Sequence, residues 1–125
     1  MSPLEQQFDI LKEYFPNARN EKLPDNSLLV TIPDFPLPQG WSKPSATINF
    51  IAPLGYPLAK PDCFWADPDL RLQHGTLPQS TNISPIPGTN LTQLWFSWHA
   101  GHWVPNRDSL LTYVRVIEAR LKQLR

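Results

Sequence analysis

Ser97 and His99 stand two apart in the run Leu94-Trp95-Phe96-Ser97-Trp98-His99, and this pair is the first place where the chain could do chemistry. In an extended segment, residues two apart project to the same side. His99 beside the Ser97 hydroxyl would accept its proton, which a serine nucleophile needs because its own acidity is negligible at neutral pH. The competing reading has Ser97 bonded to backbone and His99 packed among tryptophans; a Ser-x-His pair alone does not choose between them. Cys63 is a second nucleophile, because thiolate attack on a carbonyl makes a thioester. It follows Pro61-Asp62 inside an apolar run with Phe64 and Trp65, a setting that favours a buried structural thiol.

His99-Ala100-Gly101-His102 also raises a metal reading, and His102 is a weaker catalytic candidate. Structural zinc takes four ligands, so two histidines three apart fall short, and Cys63 and His74 would have to converge from elsewhere. No metal and no other cofactor is therefore expected. Thr76, Ser80, Thr81 and Ser84 supply further hydroxyls without a recognisable partner. Trp95, Trp98 and Trp103 are expected as core or interface anchors.

These residues need elements to position them. Leu4, Phe8, Leu11 and Phe15 recur at helical spacing, which predicts a helix from about Pro3 to Phe15 with Ser2 as its cap and Pro3 at its first turn. Gln6, Gln7, Lys12 and Glu13 would lie on its polar face. Ser27 to Pro33 reads as a short strand, and Ala46 to Ala52 as a strand burying Ala46, Ile48, Phe50 and Ala52 on one side. Asp62 to Ala66 is a third strand, and Leu70 to Leu72 a weaker fourth. Residues from Gly75 to about Asn90 are turn-forming and read as a long loop. Asp108 is placed to cap a final helix through Leu124, with Leu110, Val114, Ile117, Leu121 and Leu124 in one stripe and Arg115, Arg120, Lys122 and Arg125 toward its C-terminal half. Short links between strands predict an antiparallel meander with the helices on one side, an α+β fold.

At 125 residues the chain is expected to be one domain, 1–125. Eleven Lys+Arg balance eleven Asp+Glu, which gives nucleic acid or an anionic membrane no electrostatic hold. No apolar stretch nears the roughly 18 residues of a membrane helix. The first residues carry neither a basic start nor an apolar run, and the single cysteine excludes an internal disulfide; cytoplasmic residence is the expectation. Fifteen prolines punctuate the apolar segments, ending strands and stiffening the connections.

Two motifs at element junctions carry a resemblance. Gly55-Tyr56-Pro57-Leu58-Ala59-Lys60-Pro61 resembles the Tyr-Pro-x-x-x-Pro element joining the second and third strands of ubiquitin-conjugating (E2) proteins. Trp103-Val104-Pro105, followed by Asp108-Ser109-Leu110, resembles the E2 pattern in which Trp-x-Pro introduces the helix that crosses the sheet. The run from Gly55 through Leu70, and Phe96-Ser97-x-His99 with Trp103, Pro105 and Asp108, are most similar to the bacterial group called prokaryotic E2 family E. The resemblance implies a UBC-like fold: N-terminal helix, antiparallel meander of three or four strands, crossing C-terminal helix, without the last two E2 helices. It also implies a ubiquitin-like modifier, an E1-like adenylating enzyme and a JAB-type peptidase as pathway partners.

Where E2 proteins usually carry His-Pro-Asn and then a catalytic cysteine, this chain has Asp67-Pro68-Asp69 and no later cysteine. The usual cysteine position falls near Pro78 counted forward, or near Trp95 counted back from Trp103. Ser97 lies close to the second of these. The expected function is therefore that of an E2-like transferase, accepting a modifier from an E1-like enzyme through a Ser97 oxyester. The alternative is a non-catalytic module that binds modifier or E1 as an adaptor.

Overall fold

The helical spacing of Phe8 and Leu11 is realised in α1, Pro3–Tyr14, where both side chains are buried. In the computed structural model residues 3–125 are described; Ser2, expected as the cap of α1, lies outside the described residues. Phe15, just past the helix, stacks on Phe35 with ring centroids 5.4 Å apart. Gln7 does not belong to the exposed polar face: its Oε1 accepts from the Tyr56 hydroxyl and from Leu110 N at 3.1 Å.

Six antiparallel strands follow: β1 Arg19–Lys22, β2 Leu28–Pro36, β3 Ser45–Ala52, β4 Asp62–Ala66, β5 Thr81–Pro85 and β6 Thr92–His99. They form one sheet in the order β1-β2-β3-β4-β6-β5, so the expected meander of three or four strands is extended to six, with the last two exchanged. β3 and β4 keep the expected bounds to within a residue. Two strands were invisible to hydrophobic patterning. β1 is Arg-Asn-Glu-Lys and exposed throughout, held only by its ladder to β2. β5 lies inside the expected long loop; as the edge strand it needs pairing on one side only, which admits Pro85 at its end. Leu70–Leu72 is not a strand: Leu70 is buried, and Leu72 makes only an isolated bridge to Trp41.

Val30, Ile32, Ile48, Phe50, Phe64 and Phe96 meet both helices in the main core. The opposite face of the sheet carries a smaller cluster of Leu23, Leu29, Trp65 and Ile86, packed by Ile51 and Trp95. α2, Leu110–Leu121, buries Leu110, Tyr113, Val114, Ile117 and Leu121 against the first face. Leu124 lies beyond the helix and is exposed. Ser109, not Asp108, caps α2: its Oγ accepts from Thr112 N at 3.3 Å, and Thr112 Oγ1 accepts from Ser109 N at 2.9 Å. Asp108 instead accepts from Val104 N at 2.6 Å, closing the turn before the helix. Ser109→Ala is expected to cost about 1 kcal/mol, as N-cap losses do, measurable by urea unfolding.

The expected basic cluster at the end of α2 is broken by Arg120, which is buried, at 1% exposure. Its guanidinium lies 5.3 Å from the Phe96 ring centre and 5.4 Å from that of Trp98. It donates to the carbonyls of Gln79 at 2.9 Å, Gln123 at 3.0 Å and Arg125 at 3.0 Å. One side chain thus ties the loop before β5 to the end of the helix.

Candidate functional site

Tyr56-Pro57 and Trp103-Val104-Pro105 are 46 residues apart in the bond that joins them: the Trp103 indole N–H donates to the Pro57 carbonyl at 2.9 Å. The Tyr56 and Trp103 rings lie 6.1 Å apart and tilted. The Tyr56–Pro57 peptide is cis, and the Tyr56 hydroxyl reaches Gln7 of α1. Burial, with Asp108 nearby, pushes the Tyr56 phenol well above its usual range, so it stays neutral and donates. Lys60 Nζ adds a bond to the Ala100 carbonyl at 2.7 Å. The crossing between β3 and β4 is therefore bound along its length to the segment that leaves β6.

That joint sits beside the C-terminal end of β6, where the candidate residues collect. Asp62 and His99 face each other across the β4–β6 ladder, and Asp62 Oδ1 contacts His99 Nδ1. Both side chains are about half exposed. The ladder then shifts register between Asp62 and Phe64, setting Cys63 against both Ser97 and Trp98. A bulge of this kind breaks strict alternation and re-aims side chains. Cys63 takes φ +64, rare for a residue with a Cβ. The buried Tyr113 hydroxyl of α2 holds the bulge, donating to the Cys63 carbonyl at 2.7 Å, with the Trp98 carbonyl at 3.3 Å.

Ser97 is half-buried, and its N–H donates to the Ser80 carbonyl at 2.8 Å. Among the described residues no hydrogen bond joins Ser97 Oγ to His99, whose Nδ1 is turned to Asp62. Cys63 is buried, as its apolar neighbours led one to expect. Burial raises the thiol pKa, against hydrogen bonds from the Trp98 backbone and the Trp95 side chain that lower it. A raised pKa leaves less thiolate at neutral pH. With a chelator present, Cys63 alkylation by iodoacetamide should run at least about tenfold slower in the folded chain than in urea, and accelerate as pH rises.

Asp62, Cys63 and His99 present ligand-type atoms all within 4.8 Å of one another. Two of the four residues weighed for a metal, Cys63 and His99, thus do meet; His74 and His102, both exposed, stand outside the cluster. Asp62 is the member that sequence reasoning missed. Its signal was weak, an acidic residue opening a strand, and only the cross-strand register pairs it with His99. Asp67-Pro68-Asp69 lies at the other end of β4. There Lys43 Nζ bridges Asp67 at 3.0 Å and Asp69 at 2.6 Å, which raises the Lys43 pKa and lowers that of Asp69. Asp67 also accepts from Thr47 N at 3.1 Å. These carboxylates brace the strand end and stand away from His99.

The model of one protein family, Prokaryotic E2 family E, matches residues 9–124. The chain belongs to prokaryotic E2 family E. No curated protein and no solved structure matches it. For this prokaryotic E2-like protein the family match extends across the Tyr56-Pro57 corner, the bulge at Cys63, β6 and the Trp103 corner. Its architecture among the described residues is α+β, two helices on a six-stranded antiparallel sheet. Among the described residues no helix is long and apolar enough to cross a membrane.

Proposed function

We propose that the chain is a single UBC-like domain, 1–125, that carries a ubiquitin-like modifier received from an E1-like enzyme in a bacterial conjugation pathway. The observation that supports this most strongly is the direct bond from Trp103 to Pro57, which joins the two E2-type corners beside the Ser97–His99 end of β6. In the proposed step the Ser97 oxygen attacks the modifier's activated C-terminal carbonyl. An ester bond to Ser97 Oγ forms, the bond to the E1-like enzyme breaks, and the serine proton passes to His99. Asp62 on Nδ1 would hold the imidazole so that Nε2 is the accepting nitrogen. The pathway reading places the protein in the cytoplasm, beside a JAB-type peptidase able to reverse conjugation.

Two variants of this reading have their own support. The approach of His99 and Asp62 to the thiol favours Cys63 as an alternative nucleophile, forming a thioester. Burial of Cys63, and the lack of a Ser97–His99 bond among the described residues, favour a non-catalytic adaptor that binds modifier or E1. Incubation with the E1-like enzyme, the modifier and ATP separates them. An adduct that survives thiol reductant, yields to hydroxylamine and disappears in Ser97→Ala supports the oxyester. A reductant-sensitive adduct lost in Cys63→Ala moves the role to the thiol. Tight calorimetric binding, with conjugation intact in the double Ser97→Ala, Cys63→Ala variant, makes the protein an adaptor. Failure to bind either partner overturns the carrier and adaptor readings together.

A further inference from the structure

Adjacent residues of a regular strand point to opposite sides of the sheet. Asp62 and Cys63 escape this because the bulge places Cys63 at φ +64, where its sulfur converges with the preceding carboxylate. His99, the cross-strand partner of Asp62, brings an imidazole to the same point. Two strands thus gather one sulfur, one nitrogen and one oxygen donor within 4.8 Å.

We propose that Asp62, Cys63 and His99 form a three-ligand site for a divalent transition-metal ion, zinc by preference, with its fourth position open to water. The donor set decides the class. Thiolate and imidazole suit zinc and its neighbours, whereas calcium and magnesium take oxygen ligands. Three protein ligands plus an exchangeable position is the arrangement of an open zinc site rather than a closed structural one. Asp62 and His99 are about half exposed, which leaves an entry path, while the buried sulfur anchors the inner side.

The surroundings suit the ion. Tyr113 fixes the Cys63 backbone from the helix side. Binding would replace the thiol proton, which leaves to solvent, and the sulfur electron pair would be donated to the metal. No oxidation or reduction is involved. The site is independent of the carrier reading, although an ion here would occupy His99 and so compete with its use as a base.

The test uses the full chain, stripped with chelator and titrated with Co(II), then with Zn(II) in competition. The expected result is one equivalent of Co(II) bound, with tetrahedral d–d bands and a thiolate-to-cobalt charge-transfer band, both displaced by zinc. His99→Asn, at an exposed position and folded by circular dichroism, should weaken binding at least about tenfold. Cys63→Ser should abolish the charge-transfer band. The absence of that band in the wild-type chain would overturn the proposal. So would a cobalt spectrum unchanged in both His99→Asn and Asp62→Asn, which would mean that the metal sits elsewhere. Because no partner protein enters the assay, either result leaves the conjugation reading to its own test.

Discussion

Arg120→Ala should lower the unfolding free energy by about 3 kcal/mol or more, a large share of the stability of an ordinary domain. The carbonyls of Gln79, Gln123 and Arg125 lose their donor together, and a void opens against Phe96 and Trp98. Gln79 and Arg125 are exposed, so water takes over those acceptors; most of the cost comes from the packing lost over Phe96 and Trp98. Burial, with Arg125 nearby, lowers the Arg120 pKa, yet a guanidinium remains protonated at neutral pH. Arg120→Lys should rescue little, because one ammonium cannot reproduce the planar fork that serves separate carbonyls and lies over two rings. Urea unfolding of the three proteins measures this. A loss below about 0.5 kcal/mol for Arg120→Ala would place the side chain among ordinary surface residues and contradict the assignment.

Trp103→Ala should cost about 2–4 kcal/mol, because it removes a large half-buried ring and the donor to Pro57. Trp103→Phe keeps the ring against Tyr56 and loses the hydrogen bond, so its cost should be about 1 kcal/mol. A double-mutant cycle with Tyr56→Ala isolates the joint: contacting rings of this kind couple by about 0.5–1.5 kcal/mol. Additive losses would mean that the two corners are energetically separate. The same variants probe function, since the joint holds the segment leaving β6 at Ala100 and hence the position of His99.

The readable parts of the fold were those that bury one face. α1, β3, β4 and α2 announce themselves by apolar residues at periods near 3.6 or 2; the structure keeps α1, β3 and β4 to within a residue, while α2 stops at Leu121, short of the expected Leu124. β1 and β5 carry no such period because neither buries a face; their stability comes from ladders to β2 and β6, which no local pattern encodes. Arg120 misled for a related reason. Its position near a helix C-terminus has a sufficient surface explanation, and only the returning loop at Gln79 reveals that it is enclosed. Asp108 and Ser109 are both good caps, and the choice was made by the turn at Val104, which recruits Asp108.

The site was legible to a different degree. The Tyr-Pro and Trp-x-Pro corners could be named from their residues, and their meeting follows from the order of the elements. The grouping at the end of β6 could not. Asp62 reaches His99 through register, and Cys63 joins them through a bulge, so both depend on how two strands slide rather than on spacing along either one.

Peptide mapping by mass spectrometry of the ATP-dependent adduct tests the central claim most directly. After digestion, the modifier's C-terminal remnant should be found on the peptide containing Ser97, ester-linked and released by mild base. A remnant joined to a lysine through a stable amide, or no added mass on this chain while the pathway still conjugates its targets, would contradict the account.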